Sequence, residues 1–235
     1  MARPVNPFNE DTLPPFGGFP KDTLRFLREL KKNNSREWFT ENKHRYEQAI
    51  KEPMLMLLES LAARLRVAHP DIVLEPKKAM YRIYRDVRFS ADKSPYKEWV
   101  AAAFTYRGFD RKQDAAFYFH FSPEEFGIGG GLYAPTGDRL KNVRKAIDAD
   151  ASPLHAILKE KSFRKYFGEL QGEELARVPQ GFDKEHPEVA LLRKKQFLCW
   201  ATQPTSALAD AAVVELLLAH FSAMAPFVRW LVDHS

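Results

Sequence analysis

Met80-Tyr-Arg-Ile-Tyr-Arg-Asp-Val-Arg-Phe-Ser-Ala-Asp-Lys-Ser-Pro-Tyr-Lys97 is the stretch where the periodicity of the chain changes. Before it, apolar residues recur at helical spacing; within it they alternate. Tyr81, Ile83, Val87 and Phe89 share one face with Arg85, while Arg82, Tyr84, Asp86 and Arg88 share the other. That is the period of two expected of a half-buried strand. Ser90 to Lys97, which contains Pro95, reads as a loop. Extended back to Lys77, the segment holds seven basic residues and two acidic ones, a net +5 that equals the net charge of the whole protein. The rest of the chain is therefore neutral in sum, and the basic excess is gathered in one place.

Upstream, Met1 to Pro20 carries five prolines and Gly17-Gly18 and cannot form a regular element. Phe8, Phe16 and Phe19 predict that its end is pinned to the domain. Lys21 to Lys32 places Leu24, Phe26, Leu27 and Leu30 on one helical face. Asn34 reads as the N-cap of the next helix, with Glu37 completing a capping box, and that helix turns Trp38, Phe39, Tyr46 and Ile50 inward. Pro53 ends it or opens the next, whose apolar face is Leu57, Leu58, Leu61 and Leu65, and Pro70 stops the pattern.

Downstream, Trp99 to Arg107 reads as a second strand. Val100, Ala102, Phe104 and Tyr106 share one face, and Ala101, Ala103 and Thr105 the other. Ala115 to Ser122 is a third, with Phe117, Phe119 and Phe121 opposite Tyr118 and His120; Phe126 to Leu132 is a short fourth. Short connections and alternation favour an antiparallel meander with one wetter face. Helices follow over Thr136 to Ala149 and from Pro153 to Lys161. Phe163 to Phe182 reads as an irregular connector, Pro187 to Trp200 as a helix, and Pro204 onward as a helical section with an interruption at Pro226. Residues 1–235 thus read as one α+β domain, a mainly antiparallel sheet of about four strands packed by N-terminal and C-terminal helices.

Composition bounds the function. Hydrophobic content of 45% and aromatic content of 13% exclude a disordered chain. The single cysteine, Cys199, cannot form an intramolecular disulfide, which favours a reducing compartment. The N-terminus has no secretory pattern. The run Ala207 to Phe221 is broken by Asp210, Glu215 and His220 and is too short and too charged to span a bilayer. A soluble, cytoplasmic protein with no membrane partner is expected. The charge excess sits in one loop rather than along a face, which fits a small anion better than a duplex and makes nucleic acid the less expected partner.

Within the basic segment, Arg82, Arg88, Lys93 and Lys97 are the candidate ligand-binding cations, joined by Tyr133. Arg forks and Lys point charges are the donors an anionic group requires. Asp86 and His120 are the candidate acid–base residues, His120 because it shares a strand face with Tyr118. The competing reading is structural: Arg85 pairs with an acid from a helix, the other charges form a solvated edge, and His120 satisfies a hydrogen bond at the sheet edge. Gly127-Ile-Gly-Gly-Gly131 lies between a strand and a helix, where phosphate is often held. It matches neither common phosphate-binding pattern. A strand against which another backbone or ring packs closely is the favoured reading. The seven histidines show no metal-ligand spacing, no cofactor pattern is present, and Cys199 beside Trp200 reads as core.

The segment Arg82 to Lys97 resembles the signature of an uncharacterised family, the domain-of-unknown-function family 2461. Asn33-Asn34, Trp38-Phe39, Tyr46, Gly129-Gly130-Gly131 with Tyr133 and Pro135, Pro179 with Gly181, and His186-Pro187 agree in order. The resemblance implies a single soluble domain and no established activity. Two functions stay open: a small-anion site, enzymatic or not, for a phosphorylated or carboxylated metabolite or a nucleotide; and a non-enzymatic module docking an acidic protein or a nucleic-acid backbone. The oligomeric state is not encoded in any pattern of the sequence.

Overall fold

The computed structural model describes residues 16–88 and 91–235; the expectations for Phe8 and Phe89 lie outside the described residues. Five antiparallel strands form one sheet in sequence order: β1 (Ile72–Val73), β2 (Val100–Tyr106), β3 (Ala116–Phe121), β4 (Phe126–Leu132) and β5 (Phe197–Gln203). The meander expected for β2 to β4 is present, and a single core runs through the domain. Phe104, Phe117 and Phe119 on the inner face meet Phe221 of the C-terminal helix α10 (Val213–His234), with ring centroids 5.0, 5.8 and 6.3 Å away. The aromatic residues on alternate strand positions are thus the inner layer of an α+β fold.

The N-terminal helices are α1 (Asp22–Lys32), α2 (Arg36–Glu41), α3 (Lys43–Tyr46) and α4 (Glu52–Ala68). Between α3 and α4 the chain makes a π-helical turn, Glu47–Lys51. A π-turn widens the backbone ring and weakens its hydrogen bonding. Here the buried Thr23 hydroxyl donates to the Ala49 carbonyl inside that turn. Pro53 follows the π-turn directly, in the first turn of α4. Phe16 and Phe19 are buried, and Phe19 packs on Phe121, so the entering segment is pinned as expected.

Several expectations are corrected. Ser35, not Asn34, caps α2, accepting from the Trp38 amide. Phe163 belongs to a helix (Lys161–Phe167) rather than to a connector. The helix expected from Pro187 to Trp200 is only one turn, Val189–Leu192, and Phe197 to Trp200 instead enters β5, because β4 offers it a free edge. β1 is an additional two-residue strand. α10 runs through Pro226 without interruption; burial of Val213 to Val232 along its length outweighs a penalty of about 3 kcal/mol for internal proline. This helix is longer than the expected run, enough by length and composition to cross a membrane, and the fold uses it as its core helix.

Candidate functional site

The segment Met80 to Lys97 is not a regular strand. The expected alternation holds, since Ile83 is buried while Arg82, Tyr84, Asp86 and Arg88 are exposed. The ladder does not form beyond single bridges, Met80 to Ala102 and Tyr84 to Tyr96. Backbone bonds Arg85 N–H to Pro95 O (2.9 Å) and Lys97 N–H to Ile83 O (2.8 Å) close a narrow strap. Pro95 has no N–H to return, so the pairing cannot propagate. Asn34 secures the strap from the helical layer. Its amide donates to Tyr96 O at 3.0 Å, and its oxygen accepts from Tyr96 N–H at 3.1 Å. Asn34 therefore forgoes capping to hold this segment.

Most of the charges in the strap are engaged within it. Arg88 forks onto Asp86 at 3.0 and 2.7 Å, and this holds the Asp86 carboxyl down at about 2. Arg85 pairs with Asp92 of the same loop rather than with a helix acid. Asp92 also accepts from the Ser94 amide and hydroxyl, first among the causes that hold it at about 2. Lys93 donates to Val87 O at 2.9 Å, and Lys97 to Arg82 O at 2.8 Å. Lys97 also lies 5.4 Å from the Tyr81 ring centre and 5.1 Å from that of Trp99; desolvation and then Arg82 push its ammonium below the ordinary lysine value.

Arg82 differs. Its side chain has no carboxylate within ion-pair distance among the described residues, and it lines a cleft of about 430 Å³ between the strap and the π-turn. Lys43, Lys51 and Lys77 line the same cleft, with Glu47 as the one acid, 3.9 Å from Lys51. Phe39, Tyr46 and Tyr84 supply apolar wall. The π-turn places Glu47 and Lys51 on this wall. Lys43 and Lys51 are invisible to sequence reasoning as site residues because they come from a different element, some thirty to forty positions upstream.

His120 belongs to a separate group on the outer sheet face. Its ring lies 6.3 Å from Trp99, 5.6 Å from Tyr118 and 5.3 Å from Trp200, and its Nε2 is 3.6 Å from Glu125. Desolvation lowers its basicity, only partly opposed by Glu125. Tyr133 is three-quarters exposed, and burial is the main reason Tyr118 resists ionisation. The glycine run does what the favoured reading expected. A Cβ on Gly129 would come 2.4 Å from Cys199 O, and one on Gly130 would come 2.6 Å from Met224 Sδ of α10. Cys199 is a core residue, its thiol pushed up by burial, though on β5 rather than a helix. Of the predicted residues, the structure joins Asp86 with Arg88 and Lys97 with the backbone of Arg82. It places His120 beside Tyr118 on the outer sheet face.

A five-stranded antiparallel meander with helices packed on its aromatic face, a strap across its edge and a basic cleft beneath that strap define a single-domain α+β protein. The chain belongs to the family described as conserved hypothetical protein (DUF2461), whose model matches residues 22–230. No curated protein and no solved structure matches it.

Proposed function

We propose that the protein binds a small anionic ligand, bearing phosphate or carboxylate, in the cleft lined by Lys43, Lys51, Lys77 and Arg82. The observation that carries this reading is the composition of that cleft: four cations from four elements converge on it with one acid among them. A guanidinium with no carboxylate partner among the described residues, beside a partly apolar wall, is a preorganised donor for an oxyanion. Asp86 and Arg88 stand outside this set, paired with each other, and Lys93 serves as a tie within the strap. Any acid–base role for Asp86 requires that its pair with Arg88 first be broken.

Thermal unfolding in the presence of pyrophosphate, sugar phosphates and dicarboxylates tests the reading. A ligand at 100 times its dissociation constant stabilises by about 2.7 kcal/mol, which for a chain of this size raises Tm by roughly 5–11 °C. Arg82→Ala removes a charge-assisted bond of about 1.5–3 kcal/mol and shrinks that shift. A panel that leaves Tm unmoved, or a shift that Arg82→Ala leaves intact, refutes the proposal.

A further inference from the structure

The outer face of the sheet is built around Tyr118 and His120 on β3. Beside them β2 carries only methyl groups, at Ala103 and Ala101, and β4 carries no side chain, at Gly129 and Gly127. Rings from either side use these bare lanes. Tyr81, whose amide donates to Ala101 O, brings its ring within 6.3 Å of Tyr118. Trp200 of β5 lies over the glycines: a Cβ on Gly127 would meet its Cζ2 at 1.9 Å, and one on Gly129 its Cε3 at 2.5 Å. Those are opposite corners of one ring, so the indole is laid along β4 with its other face directed away from the strand.

Across Tyr118 from that indole lie two cations. Lys97 Nζ is 5.4 Å and Arg111 Cζ 4.7 Å from the Tyr81 ring centre. Neither has a carboxylate partner among the described residues, and Arg111 Nη1 is buried without an acceptor although Nη2 reaches Lys78 O. A buried donor left unsatisfied is costly and calls for a partner. A bare anion would satisfy the cations and leave the indole unused; an apolar ring would do the reverse. The Trp200 and Tyr118 ring centres are 6.1 Å apart, and Tyr118 and Tyr81 a further 6.3 Å, so an occupant of both positions needs a spacer between its ring and its charge.

We propose that the outer sheet face is a second binding site, for a nucleoside phosphate, with the base stacked on Trp200, the sugar over Tyr118 and the phosphate held by Lys97 and Arg111. It shares Tyr81 with the cleft beneath the strap but none of that cleft's cations.

Calorimetric titrations of adenosine 5′-monophosphate, adenosine and orthophosphate into the Arg82→Ala protein, in which the cleft is weakened, favour the readout of this site. The monophosphate is expected to bind at least about 10-fold tighter than orthophosphate, because only the monophosphate stacks a base on the indole. Trp200→Ala should bring it down to the orthophosphate level. Lys97→Gln and Arg111→Gln should weaken both phosphates and spare adenosine. The wild-type protein gives a second readout: the Trp200 indole N–H resonance, assigned with Trp200→Phe, should move with the monophosphate and adenosine and stay fixed with orthophosphate. A monophosphate that binds no tighter than orthophosphate, an indole resonance that stays fixed, or binding confined to a single-stranded oligonucleotide overturns the proposal.

Discussion

Gly131 has φ +123°, and a Cβ there would lie 2.0 Å from Phe197 O, so both backbone conformation and space demand glycine. Gly131→Ala is expected to cost about 1–3 kcal/mol, comparable to overpacking a core, and to lower Tm by roughly 2–12 °C. Gly17→Ala, at a position with open space around it, serves as the control. An unchanged Tm for Gly131→Ala would show that β5 is not seated where described. Arg45 sets a second residue-scale prediction. It bonds Asp22 at 2.9 Å and Glu29 at 2.7 Å, and those bonds are the main reason both carboxyls titrate below their ordinary values. Their folded-state pKa values are lower than the unfolded ones, so their stabilisation is complete at neutral pH. It is lost as pH falls through the lowered values, beginning below about 4.5. Denaturant midpoints measured from pH 7 to pH 3 should fall less steeply for Arg45→Met than for wild type; parallel curves would remove the attribution.

At the scale of elements, the strap shows what sequence periodicity can and cannot convey. The alternation from Tyr81 to Arg88 was legible because each side chain faces core or solvent in turn. The absence of a ladder was not, because it depends on Pro95 facing Arg85 and on Asn34 arriving from the helical layer. Likewise β2, β3 and β4 were readable from local alternation and turns. β5 was not, since its place is set by pairing with a glycine strand more than sixty residues earlier. Asn34→Ala removes both bonds to Tyr96, at about 1 kcal/mol each. Amide exchange at Tyr96 and Lys97 is expected to quicken by one to two orders of magnitude relative to α4; equal protection in the variant would show that the strap holds itself.

For the whole molecule, the prediction that the basic surplus is gathered resolves into two levels. The charges of Arg85, Arg88 and Lys93 close their own loop, whereas Arg82 joins lysines brought by the fold from other elements. The sequence revealed Arg82 as a candidate; the cleft was hidden, because convergence of α3, the π-turn and the strap is a tertiary property. The core supports both levels. Phe221→Ala, which empties the space against Phe104 and Phe117, should cost about 3–5 kcal/mol and leave the ligand preference of any surviving folded protein unchanged.

The most direct test of the anion cleft is diffraction from crystals soaked in tungstate, a heavy analogue of phosphate. The account predicts an anomalous peak within hydrogen-bonding reach of Arg82 and of one or more of Lys43, Lys51 and Lys77. A cleft without tungstate, beside an anion bound at Arg88 and Lys93, would contradict it.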